Sequence, residues 1–211
     1  MQTPAEARSD SLPSLLTLPV APRAVAGWLA VLMICTRQCD FAGVADASWA
    51  VFFLGGLYLG TGVAFAGFML AAVLVDYLAT QHLGVSSYCL SAAYPFLLPA
   101  YALLWWGGRW LAARWNPQQP MRTLALAALS LAVAVSSCFV LSNASFYWLA
   151  NHGGPSTLSG WRENLADWYG YFLAVPFAYV GVTIALMAVL NARSSRLVRK
   201  GQAHAAPLGP R

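Results

Sequence analysis

The charged side chains of this chain are confined to short clusters that are separated by long apolar runs. Four stretches contain no Asp, Glu, Lys or Arg: residues 47–75, 77–108, 123–161 and 168–192. Each run is longer than the roughly 20 residues that an α-helix needs to cross a bilayer. The pattern therefore predicts membrane-spanning helices.

Composition supports the same fold class. Hydrophobic residues make up 59% of the chain, charged residues only 9%, and the mean hydropathy is +0.60, whereas about 25% of residues are charged in soluble domains. The 211 residues leave little chain for a soluble domain. We predict an all-α integral membrane protein, built as one compact bundle of five or six spans.

The number of spans depends on residues 48–78. A single helix of about 30 residues would be roughly 45 Å long, well beyond a hydrocarbon core of about 30 Å. Four glycines within the run can break it: Gly55, Gly56, Gly60 and Gly62. We predict two spans, 48–60 and 62–78, and six in all; one tilted span is the alternative.

Arginine placement predicts the orientation, because Lys and Arg near span ends mark the cytoplasmic side. One cluster is Arg109, Arg114 and Arg122, and the other is Arg193, Arg196, Arg199 and Lys200. Both clusters are expected inside, with both chain termini. The net charge of +5 then reflects topology and does not indicate nucleic-acid binding.

From these anchors, residues 92–108 are predicted to run inward, 123–145 outward and 168–192 inward. This leaves two outer loops, 77–91 and 143–167. We expect a disordered cytoplasmic leader at 1–20, a six-helix membrane domain at 21–192 and a basic cytoplasmic tail at 193–211.

Of the four cysteines, Cys89 is the candidate for chemistry because it lies in an uncharged polar turn just ahead of a predicted span. Cys35 and Cys39 share a helix face at spacing i, i+4, which could hold a metal, but no nearby His or third Cys completes a site. We interpret these two and Cys138 as small apolar packing residues.

Polar residues collect on the same predicted outer side. Asp76 ends an apolar helix, where a carboxylate is costly enough to suggest function, although an interfacial helix end is the alternative. Arg162 departs from the positive-inside pattern, so it either pairs with Asp167 or binds a ligand. His82 and His152 could ligate a metal, but solvated loop histidines are the commoner case.

Aromatic residues crowd this side as well, and interfacial Trp and Tyr belts explain many of them. They are Tyr88, Tyr94, Phe146, Tyr147, Trp148, Trp161, Trp168, Tyr169 and Tyr171. A thiol, a carboxylate, a guanidinium and tyrosines together suit a large amphipathic solute better than an ion, which calls for charges deeper in the spans.

Three segments, 89–96, 142–148 and 161–164, resemble the BtuM family of bacterial vitamin B12 transporters. Their order of Asp76, Cys89, Tyr94 and Arg162 is similar to the family pattern, and the likeness covers about residues 20–192. The family is a solitary relative of the substrate-binding S-components of energy-coupling-factor transporters. The resemblance implies a six-helix S-component fold in the bacterial inner membrane and a corrinoid pocket open to the periplasm.

The resemblance also implies site residues. Cobalamin is the expected substrate and no intrinsic cofactor is expected. Cys89 would bind the corrin cobalt with the nucleotide base displaced, since a thiolate is a soft axial ligand, and decyanation of cyanocobalamin is a further hypothesis. Asp76 and Tyr94 would hydrogen-bond the corrin amides or the displaced base, and Arg162 would close the pocket. Tyr88, Asn143 and Phe146 complete the predicted substrate site.

Two other classes of function stay open. One is a membrane-embedded thiol-redox enzyme using Cys35, Cys39 and Cys89. The other is a structural or assembly subunit that packs through the small residues Ala26 and Ala30. This spacing also resembles the contact of S-components with an energy-coupling module, although we expect the protein to act alone. The chain has no phosphate-binding glycine loop, so any ATP drive would come from a partner.

Overall fold

The computed structural model describes residues 21–37, 45–82, 91–116, 118–150 and 156–204, and the regular elements within these ranges are all helical. They are α1 (Pro22–Arg37), α2 (Ser48–Tyr58), α3 (Gly62–His82), α4 (Leu97–Arg114), α5 (Pro120–Leu149) and α6 (Leu158–His204). A 3-10 turn, Tyr94–Phe96, leads into α4.

Three of these helices are long and apolar enough to cross a membrane: Gly62–His82, Pro120–Leu149 and the Leu158–Leu186 part of α6. Helix α2 is also apolar but shorter. The prediction of an all-α membrane protein is confirmed at this level.

The predicted break within 48–78 is present. The N–H groups of Leu59 and Gly60 both donate to the Gly55 carbonyl, at 2.9 and 3.0 Å, and Gly60 adopts a left-handed φ of 62°. Only glycine takes this conformation without steric cost. The Thr61 hydroxyl then accepts the N–H of Ala64 at 3.3 Å and caps the start of α3.

Helix α2 is the centre of the bundle. Every residue from Ser48 to Leu57 is buried, and α2 contacts α1, α3, α4 and α6. A helix that is apolar on all sides is expected in such a position. With 11 residues it is about 16 Å long, so α2 by itself covers only about half of a hydrocarbon core.

Glycines allow α2 and α4 to touch through their backbones. A Cβ atom on Gly56 would collide with the Trp105 carbonyl oxygen, and one on Gly108 would collide with the Phe53 carbonyl oxygen. Close backbone approach at small residues is the usual way in which membrane helices pack tightly. Gly55 and Gly56 therefore serve mainly to pack α2 against α4, and the helical conformation is interrupted at Gly60.

The helices alternate in direction, so the bundle has two distinct ends. Contacts of Arg37 with Ser48 and Asp76 bring together the end of α1, the start of α2 and the last part of α3. We call this side, which also holds the α5–α6 connection, the network end. The opposite side, the arginine end, carries Arg23, Arg109, Arg114 and Arg122.

Two predicted boundaries were wrong. Residues 143–149 and 158–167 are helical and do not belong to an outer loop, because α5 runs to Leu149 and α6 begins at Leu158. The Thr157 hydroxyl accepts the N–H of Gly160 at 3.2 Å and caps the start of α6, which comes earlier than predicted.

The span predicted at 92–108 is displaced as well, since α4 covers Leu97–Arg114. The backbone of α6 continues to His204, into the predicted tail.

The close approach of α2 and α4 makes a prediction about stability. Gly56→Ala should destabilise the protein by about 1–3 kcal/mol, because the added methyl group overpacks a backbone contact. Gly67→Ala in α3 is the matched control, since a Cβ there has nothing within 4 Å and alanine favours a helix by up to about 1 kcal/mol. Thermal unfolding of the detergent-solubilised variants measures both effects. Equal unfolding temperatures for the two variants would contradict the described packing.

Candidate functional site

The most polar feature of the network end is a bidentate ion pair between α1 and α3. Arg37 donates from Nε and Nη2 to the two carboxylate oxygens of Asp76, both at 2.7 Å. The Tyr94 hydroxyl donates to the same carboxylate at 2.8 Å. Charge-assisted, bidentate hydrogen bonds of this kind are the strongest in proteins. Asp76 thus joins α1, α3 and the turn that begins α4.

Arg37 extends the network to α2 and α4. Its Nη1 atom donates to Ser48 Oγ at 2.9 Å and to the Tyr101 hydroxyl at 3.1 Å. It also lies 3.8 Å from a carboxylate oxygen of Asp46. Asp46 accepts the N–H and hydroxyl of Ser48, at 2.8 and 2.6 Å, and so holds the first residue of α2. We refer to Arg37, Asp46, Ser48, Asp76, Tyr94 and Tyr101 as the Arg37 network.

The ion pair is largely removed from solvent within the bundle. The side chains of Arg37 and Asp76 are 7% and 16% exposed, and that of Asp46 is 41% exposed. Burying a charge is costly unless it is paired and hydrogen-bonded. The network combines one guanidinium with two carboxyl groups. It is therefore a fixed polar surface within a mostly apolar bundle.

Tyr94 lies ahead of α4, and its hydroxyl donates a hydrogen bond to this carboxylate. Partial burial and, after it, the hydrogen bond to Asp76 and the negative charge of that carboxylate raise the pKa of Tyr94. A phenol has an ordinary pKa of about 10, so this hydroxyl is protonated at neutral pH in any case. Its oxygen retains lone pairs that can accept a hydrogen bond from an amide N–H of a ligand.

The network lies at the level where some helices end and others continue. Helix α1 ends at Arg37 and α2 begins at Ser48, whereas α3 extends about 9 Å beyond Asp76, at 1.5 Å per residue. The Phe172 ring packs on Trp49 and on Phe139, at centroid distances of 5.0 and 5.3 Å. Counted from Phe139, α5 continues for about 15 Å to its end at Leu149. Helix α6 begins at Leu158, about 21 Å from Phe172. Helices α3, α5 and α6 thus extend past the level of the network at this end of the bundle.

A second polar cluster holds the α5–α6 hairpin together above this level. Asn143 donates to the Asn164 side-chain oxygen at 2.6 Å and accepts the indole N–H of Trp161 at 3.0 Å. The Tyr147 hydroxyl donates to the Thr157 carbonyl at 3.2 Å. These contacts join α5 to α6 in the region where the sequence predicted an outer loop.

The predicted site residues fall into two groups. The side chains of Asp76 and Tyr94 are hydrogen-bonded directly to each other in the Arg37 network. Asn143, Phe146 and Arg162 lie on the α5–α6 hairpin. Arg162 is exposed and makes no hydrogen bond or ion pair within the described residues, so the alternative pairing with Asp167 is not formed.

Tyr88 and Cys89 lie outside the described residues, as do Cys39 and His152. Of the described cysteines, Cys35 is exposed and Cys138 is buried in the core. Within the described ranges, no three His, Cys, Asp or Glu side chains lie close enough to hold a metal ion together. A metal that is already held by a macrocyclic ligand needs only one axial ligand from the protein, so binding it does not require such a group.

Two cavities among the described residues have no residue of the Arg37 network in their lining. The larger, of about 360 Å³, is between α4 and α5 and is lined by Trp106, Trp110, Leu129 and Val133 among others. The smaller, of about 270 Å³, is between α5 and α6 at Phe139 and Tyr169. Neither of these cavities contains the polar site, so the site is described by its side chains and by the helices that surround it.

No protein-family model and no curated protein matches this chain.

Sequence reasoning missed Arg37, which organises the site. The available signal was its position: Arg37 ends an apolar helix on the side opposite to the arginine clusters, which is the same departure that singled out Arg162. The pairing of Arg37 with Asp76 had no such signal, because the residues are 39 positions apart in the chain.

The buried ion pair makes a prediction about paired substitutions. Arg37→Met or Asp76→Leu alone should each destabilise the protein by about 3–5 kcal/mol, because the partner charge is left buried and unpaired. The double variant should lose less than the sum of the two, since no buried charge remains. Thermal unfolding in detergent measures this coupling, with exposed Arg109→Met as the control. Additive losses from the two substitutions would contradict a direct pair.

Proposed function

We propose that this protein takes up cobalamin, or a related corrinoid, across the bacterial inner membrane. In this proposal it crosses the membrane six times, with both termini in the cytoplasm and the network end facing the periplasm, in the manner of a solitary energy-coupling-factor S-component. The observation that carries the proposal is the Arg37 network: a buried polar surface where Asp76 and Tyr94 meet and past which three helices continue.

The arrangement suits a large amphipathic solute. Helices α3, α5 and α6 extend about 9 to 21 Å beyond the network, so they can surround a substrate that rests on its polar groups. A corrinoid carries an apolar macrocycle with amide groups at its edge, and the Tyr94 oxygen can accept from such an amide. Asp76 acts in this proposal by orienting Tyr94, in addition to its contacts with Arg37.

Cys89 supplies the thiol in this proposal, and it precedes Tyr94 by five residues in the chain. The backbone N–H of Tyr94 donates to the Ser91 carbonyl at 2.9 Å, which fixes Ser91 beside the turn that carries Tyr94.

The proposed chemistry is a ligand exchange at cobalt. The Cys89 thiol loses its proton and its sulfur donates an electron pair to one axial position of the substrate cobalt, displacing the nucleotide base. When the opposite ligand is cyanide, it leaves with its own electron pair and takes up the proton as hydrogen cyanide. The oxidation state of cobalt does not change, so no external reductant is needed.

The α5–α6 hairpin would provide the second wall of the site. Asn143 and Phe146 are one turn apart on α5, and Arg162 projects from the first turns of α6. Because Arg162 is exposed and has no partner within the described residues, its guanidinium is available to bind the phosphate of the nucleotide loop.

The absorption spectrum of the purified protein distinguishes the competing functions. A thiol-redox enzyme or an assembly subunit would purify without a corrin absorption spectrum. For the assembly function, Ala30 packs against the core of this chain, so the small-residue face of α1 is used at least in part within the bundle.

The thiol chemistry predicts the behaviour of Cys89→Ser. A hydroxyl is a hard, weak ligand for cobalt, so this variant should bind cyanocobalamin weakly, without the sulfur-ligated spectrum and without releasing cyanide. The combined Cys35→Ser, Cys39→Ser and Cys138→Ala variant is the control and should decyanate like the wild type. Absorption spectra and cyanide release measure both. Decyanation by Cys89→Ser at the wild-type rate would refute the mechanism.

Arg162 makes a prediction about affinity alone. Arg162→Gln should weaken corrinoid binding by about 1–3 kcal/mol, the usual value for a hydrogen bond to a charged group, without changing the unfolding temperature. Exposed Arg109→Gln at the arginine end is the matched control and should retain full affinity. Titration followed by the corrin spectrum measures binding. A stability loss in Arg162→Gln with unchanged affinity would mean that Arg162 is structural.

A further inference from the structure

The larger of these two cavities lies between α4 and α5 and shares no lining residue with the Arg37 network. One wall is formed by Trp106 and Trp110 of α4 and the other by Leu129 and Val133 of α5, all of which are exposed. Its volume of about 360 Å³ is within the range of about 300–1,000 Å³ that is typical of ligand pockets. We refer to it as the α4–α5 groove.

The floor of the groove is preformed. Ser130 on α5 donates from its hydroxyl to the Gly107 carbonyl on α4 at 2.8 Å. Below it, the added Cβ of Gly107 would lie 2.7 Å from that of Ala134, so the two helices are in close contact here. The groove is thus a fixed depression between two packed helices.

Two arginines extend the walls of the groove toward the arginine end. Arg114 lies one turn beyond Trp110 on the same face of α4, and its guanidinium carbon is 4.1 Å from the centroid of the Trp110 ring. On α5, Arg122 lies two turns before Leu129, on the face that lines the groove. Arg122 donates to the Gln119 side-chain oxygen at 3.0 Å. Both arginines are exposed.

We propose that the α4–α5 groove binds one acyl chain of an anionic glycerophospholipid, whose phosphate lies between Arg114 and Arg122. Basic pockets between membrane helices on the positively charged side favour acidic headgroups. The positive-inside rule places these arginines at the cytoplasmic leaflet. The proposed lipid is therefore an inner-leaflet lipid such as phosphatidylglycerol.

The groove walls favour a lipid over a helix of another protein. Interfaces between membrane helices are enriched in small residues that let the backbones approach. Here the exposed wall residues are large, with Trp106 and Trp110 opposite Leu129 and Val133. A flexible acyl chain can follow such a surface, and the cationic groups lie only at the end where a phosphate would be.

Lipid retention by the purified full-length chain tests the proposal. The protein in detergent is mixed with equal amounts of dioleoyl phosphatidylglycerol and dioleoyl phosphatidylcholine, and bound lipids are counted by native mass spectrometry. The wild type should retain phosphatidylglycerol in preference. Arg114→Gln with Arg122→Gln should lower this preference by about twenty-five-fold, at roughly five-fold for each basic residue.

The matched control removes two positive charges from the same end but away from the groove, as Arg23→Gln with Arg109→Gln. It should leave the lipid preference within about two-fold of the wild type, because surface charges outside the site are screened. An equal loss in this control would show a general charge effect and would overturn the proposed site.

The acyl chain is tested separately by filling the groove. Val133→Trp, and independently Leu129→Trp, should reduce retention of both lipids, since their acyl chains are identical. Circular dichroism identifies a variant that has lost its fold, and the other variant then decides the result. Undiminished retention in a folded variant would overturn the proposal. So would a wild type that retains neither lipid or that binds a second copy of the chain across the groove.

Discussion

A buried cation imposes the main constraint on this bundle. Arg37 ends an apolar helix, and its guanidinium is nearly enclosed by protein. In such surroundings each of its donors needs an acceptor. The network supplies these from three other helices: Asp76 from α3, Ser48 from α2 and Tyr101 from α4. One side chain thus fixes the relative positions of four helices.

The same constraint links stability to the candidate site. Asp76 cannot be considered only as a ligand, because its carboxylate already pairs with Arg37 and accepts from Tyr94. The groups closest to the proposed substrate are therefore held in place by the interaction that organises the helices. Such preorganisation lowers the cost of ordering polar groups when a ligand binds.

Close packing between α2 and α4 complements the polar network. At the network end the two helices are joined through Arg37, which bonds both Ser48 and Tyr101. Toward the arginine end they touch at Gly56 and Gly108, where no side chain separates the backbones. The short α2 helix is stable because α1, α3, α4 and α6 all contact it. The outer surface of α4 is consequently left for α5 and, between them, for the α4–α5 groove.

The sequence by itself determined the class of fold and the division of residues 48–78. Long uncharged runs specify membrane helices because a bilayer excludes charges, and Gly60 specifies a break because few other residues adopt its backbone conformation. It also singled out Asp76 and Tyr94, although not their bond. Only the tertiary structure decided that Arg37 pairs with Asp76, that Asn143 and Trp161 extend α5 and α6 into a hairpin, and that arginines border a groove. Each of these depends on contacts between residues far apart in the chain, and side-chain hydrogen bonds have no local signature in a single sequence.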